Sequence, residues 1–572
     1  MNYKNRYYNC PELFEIRNLR DVVKKAKKDY GDISAYRQYE SRILESAISF
    51  KGFSDNIDAL GTALLSLGQK DKHIAILGET SIEWITAYFA VICGVGVAVP
   101  VDRELGNETL AYQLAFGDVN TIICSAKCLK KLQNILPDCP GIETVIIMRE
   151  KLATMPLEPE WHSFEKLIVD GRKLLRLGDT SYINAEIDEN ALTEIIYTSG
   201  TTGANKGVML SHKNIWTCGI GARQLIHFNN TNISVLPVHH TYELTCNIMS
   251  SIYEGSTVSI NDDLKHVTQN LVHFRPKMTC MVPAMLDLMV RKIKYEAKNN
   301  GLEDHLNYSI KFSNLIRKVG IDKRRRFFKP ILIKFGEKLD KVICGGSPLS
   351  NDTLDYLDSI GITVLNGYGI TECSPLVAVN GDRLRRRGSV GHVLPSNKVR
   401  IANPDENGNG EIQVKGDNVM LGYYKNPEDT ATVFTEDGWF KTGDIGHLDR
   451  DNFLYISGRI KNLIILSNGK NIYPEEIEEH LQKELPYLQE VVVFADDENT
   501  GIYAICYLNP DFCKQNQLET MQQQKERVLQ DIAAYNKNAE TYKRITDVQI
   551  SETEFEKTTT NKIKRFTIER KK

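Results

Sequence analysis

Short apolar runs alternate with amphipathic segments between His73 and Ile147, and this alternation restricts the possible folds more than any other feature of the chain. Apolar runs rich in β-branched residues predict buried strands, and apolar residues spaced three or four apart predict helices. In chain order the expected elements are strand 73–77, helix 82–93, strand 97–101, helix 110–116, strand 121–124, helix 127–136 and strand 144–147. Strands separated by helices favour a largely parallel sheet with helices packed on its faces.

At 572 residues the chain is too long for a single hydrophobic core. A second alternating series, with strands expected at 234–238, 257–260 and 341–344, predicts another α/β layer. The segment that precedes both series, residues 1–70, is expected to be mainly helical. The sequence therefore predicts a large α/β region made of two layered subdomains.

The sequence pattern changes after Val390. Short alternating strands with glycine-rich turns up to Lys425 predict a small β-barrel-like unit. Beyond Arg459 the pattern becomes α+β, and a helix begins at Pro474 with acidic residues in its first turn. We place a domain boundary at residues 459–461, which gives a large domain at 1–458 and a small C-terminal domain at 462–572.

Composition excludes several classes of protein. The net charge of −3 gives no electrostatic reason to expect a nucleic-acid partner. The N-terminus has no apolar segment typical of a signal peptide, and the run from Ala87 to Val101 is too short and too interrupted for a membrane span. The twelve cysteines form no C-x-x-C pair, so we expect free thiols in a reducing cytoplasm.

Residues 291–340 form a basic insertion that includes the run Lys323-Arg324-Arg325-Arg326. The simpler interpretation is a solvated helix face. The alternative is a surface, centred on residues 317–341, that rests on an anionic membrane.

The stretch from Tyr197 to Gly207 contains three glycines, three threonines, one serine and one lysine after a short apolar run. Glycines expose backbone N–H groups, hydroxyls add donors and Lys206 adds a positive charge, so the stretch predicts a phosphate-binding loop. It is not the G-x-x-x-x-G-K-[ST] pattern. The alternative is a flexible surface loop. The candidate ligands of the phosphates are Thr198, Ser199, Gly200, Thr201, Thr202, Gly203 and Lys206.

Three further stretches combine features suited to a nucleotide. Glycine-rich Gly345-Gly346-Ser347 follows an expected strand and offers a flat backbone surface, although a plain strand-to-helix turn explains it equally well. In 366–372, Tyr368 suits stacking on a purine and Glu372 suits a magnesium ion, unless these are a core aromatic and a surface acid. Asp444 and Arg459 suit ribose hydroxyls, or form an ordinary surface pair.

Taken as a set, these stretches resemble the adenylate-forming superfamily: acyl-CoA synthetases, adenylation domains of peptide synthetases, and luciferases. The likeness extends from near residue 40 to the end of the chain, with five motifs in the family's order. The resemblance implies a large AMP-binding domain and a small lid domain, and it implies ATP, Mg²⁺ and coenzyme A as cofactors. It also implies a nucleotide site made of residues 198–203, Lys206, Gly345, Gly346, Ser347, Asn366, Gly367, Tyr368, Gly369, Thr371, Asp444, Ile456, Arg459 and Lys562.

The resemblance further implies specific roles. Lys562, Thr371, His240 and Lys206 would be catalytic, and Glu372 with Thr198 would bind the metal. Lys461 would be the hinge, and Gly469 would line the coenzyme A channel. One departure is visible, because the family usually has proline where this chain has Asn205.

Within the superfamily, His239-His240-Thr241-Tyr242-Glu243 and the segment 466–476 look like the long-chain fatty acyl group. We therefore expect an AMP-forming acid–thiol ligase that activates a medium- or long-chain fatty acid through an acyl-adenylate and transfers it to coenzyme A. The alternatives are transfer to a carrier protein, or activation of an aryl acid. The expected location is the cytoplasm, with peripheral membrane contact through the basic insertion.

Overall fold

The computed structural model describes residues 7–10, 15–39, 45–154, 158–198, 206–228, 231–467, 470–557 and 563–570. These residues pack as two compact units. The first comprises Met1–Lys398 and Val414–Phe440, and the second comprises Val399–Gln413 and Lys441–Lys572. Within the described ranges no helix is long and apolar enough to cross a membrane.

The first part of the chain builds the edge of one sheet and every strand but one of another. Its elements are α1 (Leu19–Tyr30), β1 (Ser34–Tyr39), β2 (Glu45–Ser49), α2 (Phe50–Ser66), β3 (His73–Leu77), α3 (Ile82–Ile92), β4 (Val97–Val101), α4 (Asn107–Phe116), β5 (Val119–Ser125), α5 (Leu129–Ile135), β6 (Thr144–Met148), β7 (His162–Ser163), α6 (Phe164–Arg176), β8 (Leu192–Thr198), β9 (Lys206–Ser211) and α7 (His212–Leu225).

The middle of the chain contains the second α/β series and the insertion. Its elements are β10 (Thr231–Ser234), α8 (Thr241–Glu243), α9 (Ser250–Glu254), β11 (Thr257–Ile260), α10 (Val267–Phe274), β12 (Met278–Met281), α11 (Pro283–Asn299), α12 (Glu303–Lys318), α13 (Arg324–Phe327), α14 (Lys329–Ile333), β13 (Lys341–Cys344), α15 (Asn351–Ile360), β14 (Thr363–Gly369), β15 (Leu376–Val379) and β16 (Gly391–Val393).

The last part of the chain supplies most of the second unit. Its elements are β17 (Asn397–Ala402), β18 (Gly410–Gly416), β19 (Gly422–Tyr423), α16 (Pro427–Val433), β20 (Phe440–Leu448), β21 (Phe453–Arg459), β22 (Ile464–Ile465), β23 (Asn471–Ile472), α17 (Pro474–Glu484), β24 (Leu488–Ala495), β25 (Ile502–Leu508), α18 (Pro510–Gln515), α19 (Met521–Asn538) and β26 (Ile545–Ile550).

The predicted βαβ series is confirmed in the first sheet, whose strand order is β19-β9-β8-β4-β3-β5-β6-β7. Strands β3, β4, β5 and β6 pair in parallel, and their apolar side chains form one buried cluster. Helix α3 is buried along nearly its whole length, because the sheet and neighbouring helices cover it on all sides. The interrupted apolar run at 87–101 is therefore a buried helix followed by a strand.

The second series forms the run β16-β15-β14-β13-β12-β10-β11-β1-β2 of another sheet. Two expectations are corrected here. The strand expected at 234–238 instead spans Thr231–Ser234, so it ends before Pro237, which has no N–H for a ladder. Residues 1–70 contain the expected helices, α1 with 12 residues and α2 with 17, but they also contain an unexpected pair of strands. Strands β1 and β2 pair antiparallel, β1 joins β11 in parallel, and Tyr36 is buried against Phe53.

The short strands between Val390 and Lys425 are distributed among different sheets. Strand β19 pairs antiparallel with β9 and forms one edge of the first sheet. Strands β17 and β18 are neighbours in the run β17-β18-β20-β21, which belongs largely to the second unit. The second unit also contains a three-stranded sheet, β24-β25-β26, packed with α17 and α19 around its own apolar core. The chain is thus a mixed α/β protein with a large N-terminal region and a smaller C-terminal one.

Candidate active site

The predicted phosphate loop connects two paired strands of the first unit. Strands β8 and β9 are antiparallel, and Thr198 at the end of one lies opposite Lys206 at the start of the other. The intervening residues Ser199, Gly200, Thr201, Thr202 and Gly203 lie outside the described residues. The described ends therefore place the only lysine of the motif directly beside its first threonine.

Lys206 is held by two groups from the last part of the first unit. Its Nζ lies 2.6 Å from Asp429 Oδ2 and 4.8 Å from the ring centroid of Tyr423. A cation over an aromatic ring is attracted by the negative face of the ring. Asp429 and Tyr423 thus fix the direction in which the ammonium group points.

Tyr423 also contacts Glu372, the expected metal ligand. The Tyr423 hydroxyl donates to Glu372 Oε1 at 2.9 Å, and the N–H of Met420 donates to the Glu372 carbonyl at 2.8 Å. Burial and the neighbouring Glu372 carboxylate raise the pKa of Tyr423, so its hydroxyl remains a donor. Lys206 and Glu372 therefore lie on two sides of one tyrosine, and Thr371 begins the same 3₁₀ turn as Glu372.

The two glycine-rich stretches meet at the carboxyl ends of β13 and β14. These strands are parallel, with Cys344 opposite Asn366, so Gly345 and Gly367 are neighbours. A Cβ on Gly345 would lie 3.3 Å from the Gly367 carbonyl oxygen. Ligands of open α/β sheets bind at the carboxyl ends of strands. Glycines there, which we call the glycine wall (Gly345, Gly346, Gly367 and Gly369), allow a flat ring to approach the backbone.

The other candidate residues of these two stretches lie beside Gly345 and Gly367. Gly346 has φ +93°, a conformation that favours glycine, and Ser347 next to it is exposed. Tyr368 and Gly369 continue β14 and pair with β15. The Asn366 carbonyl accepts two bonds from Asn380, through its N–H at 2.9 Å and its Nδ2 at 3.2 Å.

The histidine motif borders the glycine wall. The Tyr242 hydroxyl donates to the carbonyls of Ile343 at 3.0 Å and Met281 at 3.3 Å, and its ring lies against Gly345. The rings of His239 and His240 are 4.4 Å apart, and His239 Nε2 is 3.6 Å from Asp102 Oδ2.

Burial is the main cause of a pKa for His239 well below its usual range, reinforced by His240 and Arg103. His239 is therefore neutral near pH 7, while His240 precedes the first residue of α8.

Glu243 is the last residue of the histidine motif, and the sequence did not indicate that it is buried or how readily it ionises. It is fully buried, its Oε1 accepts from Asn247 Nδ2 at 2.7 Å, and burial raises its pKa from 4.5 to about 8. The following residues Leu244–Met249 form a π-helix, a rare element that occurs often at functional sites.

The raised pKa of Glu243 predicts a specific pH dependence of stability. The folded state binds this proton more tightly than the unfolded state, so its contribution is complete at low pH and is lost as pH rises toward the folded pKa. We expect Glu243→Gln to reduce the fall in unfolding free energy between about pH 5 and pH 8 by roughly 3–4 kcal/mol. Denaturant unfolding across that range tests this, with the exposed Glu108→Gln in α4 as the matched control. Parallel curves for wild type and Glu243→Gln would contradict it.

The remaining candidate residues belong to the second unit. Asp444 in β20 lies opposite Arg459 in β21, and Arg459 Nε is 2.8 Å from Asp444 Oδ1. Asp444 is only 3% exposed, whereas Arg459 is exposed, and Ile456 lies on the same strand opposite Gly446. Lys461 lies in the 3₁₀ turn that follows β21.

Gly469 and Lys562 lie outside the described residues. The described residues that flank this gap, Lys557 and Ile563, form a β-bridge. Lys557 is further paired with Glu490, which is buried. The five residues 558–562 therefore join two points that are anchored to the second unit.

Two contact residues, Tyr423 and Asp429, were absent from the sequence prediction. No motif marks them, since Tyr423 is 51 residues from Glu372 and is the second residue of a two-residue strand. The described residues contain no group of three His, Cys, Asp or Glu side chains arranged to hold a metal.

Comparison with known proteins identifies relatives over nearly the whole chain. Residues 24–424 match the model of the family described as AMP-binding enzyme, and residues 461–572 match that of the AMP-binding enzyme C-terminal domain. The long-chain-fatty-acid–CoA ligase ACSBG2 of Rattus norvegicus is 31% identical over 475 residues, which are 78% of this chain and 71% of the relative.

Solved structures share the fold. The anthranilate CoA ligase AuaEII in complex with anthranoyl-AMP superposes with a TM-score of 0.75 at 18% identity. The superposition covers 98% of this chain and 96% of the ligase chain. ATP-bound MatB from Rhodopseudomonas palustris has a TM-score of 0.72 at 23% identity, with 96% of this chain and 97% of its own covered.

Proposed function

This chain belongs to the AMP-binding enzyme family, and from that membership we propose that it activates a medium- or long-chain fatty acid as an acyl-adenylate and transfers the acyl group to coenzyme A. At the coarser level it is an AMP-forming acid–thiol ligase that uses ATP, Mg²⁺ and coenzyme A. The fatty acyl substrate is supported by the rat ligase at 31% identity.

The first step joins two anions, so its barrier is largely electrostatic and positional. A carboxylate oxygen attacks the α-phosphorus of ATP, the acyl–phosphate bond forms, and the bond to pyrophosphate breaks. In our proposal Lys206 and the residues 198–203 hold the phosphates, while Thr371 donates to the phosphate that becomes AMP. Magnesium, held by Glu372 and Thr198, would supply positive charge to the phosphate oxygens.

The arrangement that carries this proposal is the Lys206–Tyr423–Glu372 group next to the glycine wall. A cation and a potential metal ligand lie on two sides of Tyr423, and the tyrosine orients both through its ring and its hydroxyl. In our proposal the adenine lies against the backbone of Gly345 and Gly367, where a Cβ on Gly345 would already lie 3.3 Å from the Gly367 carbonyl oxygen. Lys206 suits phosphate oxygens, Glu372 suits the magnesium ion that accompanies them, and the glycine backbone suits adenine. Together these groups support a nucleotide as the ligand of the first unit.

The second step needs a different set of groups. The coenzyme A thiolate attacks the acyl carbonyl, the thioester bond forms, and AMP leaves with the electron pair. We propose that Lys562 acts in the first step, that His240 lies beside the substrate carboxylate, and that Gly469 lines the thiol channel. Rotation at Lys461 would exchange Lys562 for Gly469, as in other domain-rotation mechanisms.

A panel of acids tests the substrate and the acceptor together. Pyrophosphate release is measured with fatty acids of graded length and with aryl acids, each with and without coenzyme A. We expect release with fatty acids and thioester formation only when coenzyme A is present. Preference for an aryl acid would overturn the fatty acyl assignment, and transfer only to a phosphopantetheinylated carrier protein would overturn the acceptor.

Asp444 provides a prediction about the ribose. If its carboxylate accepts from both ribose hydroxyls, Asp444→Asn should lower kcat/KM for ATP about 100-fold, since each hydrogen bond to a charged group contributes about 1.5–3 kcal/mol. The wild type should discriminate against 2′-deoxy-ATP, and the variant should not. A variant that still discriminates as strongly as the wild type would show that Asp444 does not contact the ribose.

A further inference from the structure

Exposed apolar side chains are concentrated on the insertion formed by α11, α12, α13 and α14. Of the 21 large hydrophobic side chains that are exposed in the described residues, ten lie between Leu288 and Ile333. This segment of 46 residues is a small part of the 572-residue chain. A concentration of exposed apolar side chains in one segment points to an interaction site, whereas isolated exposed apolar residues are ordinary.

Helix α12 carries apolar residues on two opposite faces. Leu306 and Ile310 pack against the buried core of the second α/β layer. Tyr308, Phe312 and Leu315 follow a helical spacing of four and three residues on the outward face, with exposed fractions of 70%, 45% and 62%.

The outward aromatic rings also contact each other. Tyr308 stacks on Phe312 with centroids 6.5 Å apart, and Phe312 contacts Phe327 of α13 at 6.2 Å. The helix is therefore anchored through one face and presents an ordered aromatic surface on the other.

The same segment is strongly basic. Residues 283–338 contain fourteen lysines and arginines against six aspartates and glutamates, a net charge of +8 in a chain whose net charge is −3. Lys311, Lys318 and Arg326 are exposed, and none has a carboxylate within ion-pair distance among the residues that the structure describes. Lys311 and Lys318 share the outward face of α12 with the aromatic rings.

A cationic hollow of about 470 Å³ lies beside α14. Its lining includes Arg275, Lys277, Arg325, Lys329 and Lys338, with Glu337 as the carboxylate among them. Glu337 pairs with Arg275 at 2.5 Å and with Lys329 at 3.3 Å. One carboxylate leaves an excess of positive charge in the hollow, which suits a phosphate group.

We propose that α11–α14 form a docking surface for a bilayer that contains anionic phospholipid. The outward aromatic and aliphatic side chains enter the boundary between headgroups and acyl chains, and the surrounding cations contact the phosphates. A second copy of this chain would bring two surfaces of charge +8 together, which opposes self-association. A nucleic acid matches the charge but not Leu315 and the neighbouring Val319, which is 74% exposed.

Helix α11 connects this surface to the glycine wall. Val282, which precedes the helix, lies 3.7 Å from the position of a Cβ on Gly346. The 17 residues of α11 span roughly 25 Å from that point to the insertion. Docking therefore extends the proposed fatty acyl function, because it brings the source of a lipid substrate to the far end of a helix that begins at the site.

Vesicle flotation of the full-length protein, without ATP or coenzyme A, tests the docking surface independently of catalysis. The probes are vesicles of phosphatidylcholine alone and of phosphatidylcholine with phosphatidylglycerol. We expect binding to the anionic vesicles only, weakened by salt. Lys311→Gln with Lys318→Gln and Arg326→Gln should weaken binding about fivefold per charge. Phe312→Ser with Leu315→Ser should weaken it roughly tenfold or more.

Matched controls carry the same substitutions elsewhere on the first unit. Lys51→Gln with Lys70→Gln and Lys166→Gln removes three exposed charges, and Val169→Ser with Leu177→Ser removes two exposed apolar side chains. Both should bind as the wild type does. Equal binding to neutral vesicles, or unchanged binding by the insertion variants, would overturn the proposal. So would a wild-type dimer that Phe312→Ser dissociates, or binding to a nucleic-acid duplex in place of vesicles.

Discussion

Lys562→Ala will lose acid-dependent ATP–pyrophosphate exchange and largely retain thioester formation from supplied acyl-AMP. In our proposal the lysine neutralises negative charge only while the carboxylate attacks the α-phosphorus. Removing one preorganised group that stabilises transition-state charge costs about 100–1,000-fold in rate. The second step involves no pyrophosphate leaving group, so the same ammonium has no corresponding charge to stabilise there.

Lys564→Ala is the matched control for this experiment. Lys564 is two residues away and pairs with Glu556, so it tests whether the loss follows from disturbing the local chain. We expect it to retain both half-reactions. Equal loss of both half-reactions in Lys562→Ala would refute the division of labour between the two steps, whereas equal loss in Lys564→Ala would point to a structural cause.

Glu372→Gln will lower kcat about 100-fold and raise the Mg²⁺ concentration needed for half-maximal rate, because the amide is a much weaker ligand for a hard cation than the carboxylate. The fold should be unaffected, since the glutamine oxygen can still accept from the Tyr423 hydroxyl, now 2.9 Å from Glu372 Oε1. Initial rates over a Mg²⁺ titration measure both quantities.

Glu428→Gln controls for the loss of one negative charge near the site. Glu428 is exposed in the first turn of α16, one residue before Asp429. We expect its Mg²⁺ dependence to match that of the wild type. If Glu372→Gln keeps the wild-type Mg²⁺ dependence while its rate falls, the carboxylate acts by orienting Tyr423 and does not bind the metal.

The sequence predicted strands correctly where a buried strand coincides with a short, uninterrupted run of apolar residues. Strands 73–77, 97–101, 257–260 and 341–344 begin and end as expected, because each is a short apolar run with clear boundaries. The β1–β2 pair was missed because Ser34–Tyr39 becomes a strand through its parallel contact with β11, more than two hundred residues later. Tertiary contacts of this kind leave no local periodicity to detect.

The residues of the candidate site also fall into a predictable group and an unpredictable one. The glycine wall was predictable because its residues follow strands directly, and parallel pairing then brings Gly345 and Gly367 together. Asp429 and Tyr423 were not predictable, because they reach Lys206 from a helix and a strand more than two hundred positions away. Motifs identify which residues face a ligand, but they do not identify the partners that hold those residues in place.

The ion pair between Lys206 and Asp429 has a consequence for which anions the first unit accepts. Since the ammonium already has a counterion at 2.6 Å, any incoming anion competes with the Asp429 carboxylate for the charge of the lysine. A monovalent ion such as chloride exchanges one weak pairing for another and gains little. A polyphosphate brings several negative charges to the same place and competes better with the Asp429 carboxylate for the ammonium group. The ion pair therefore favours polyanions over monovalent anions.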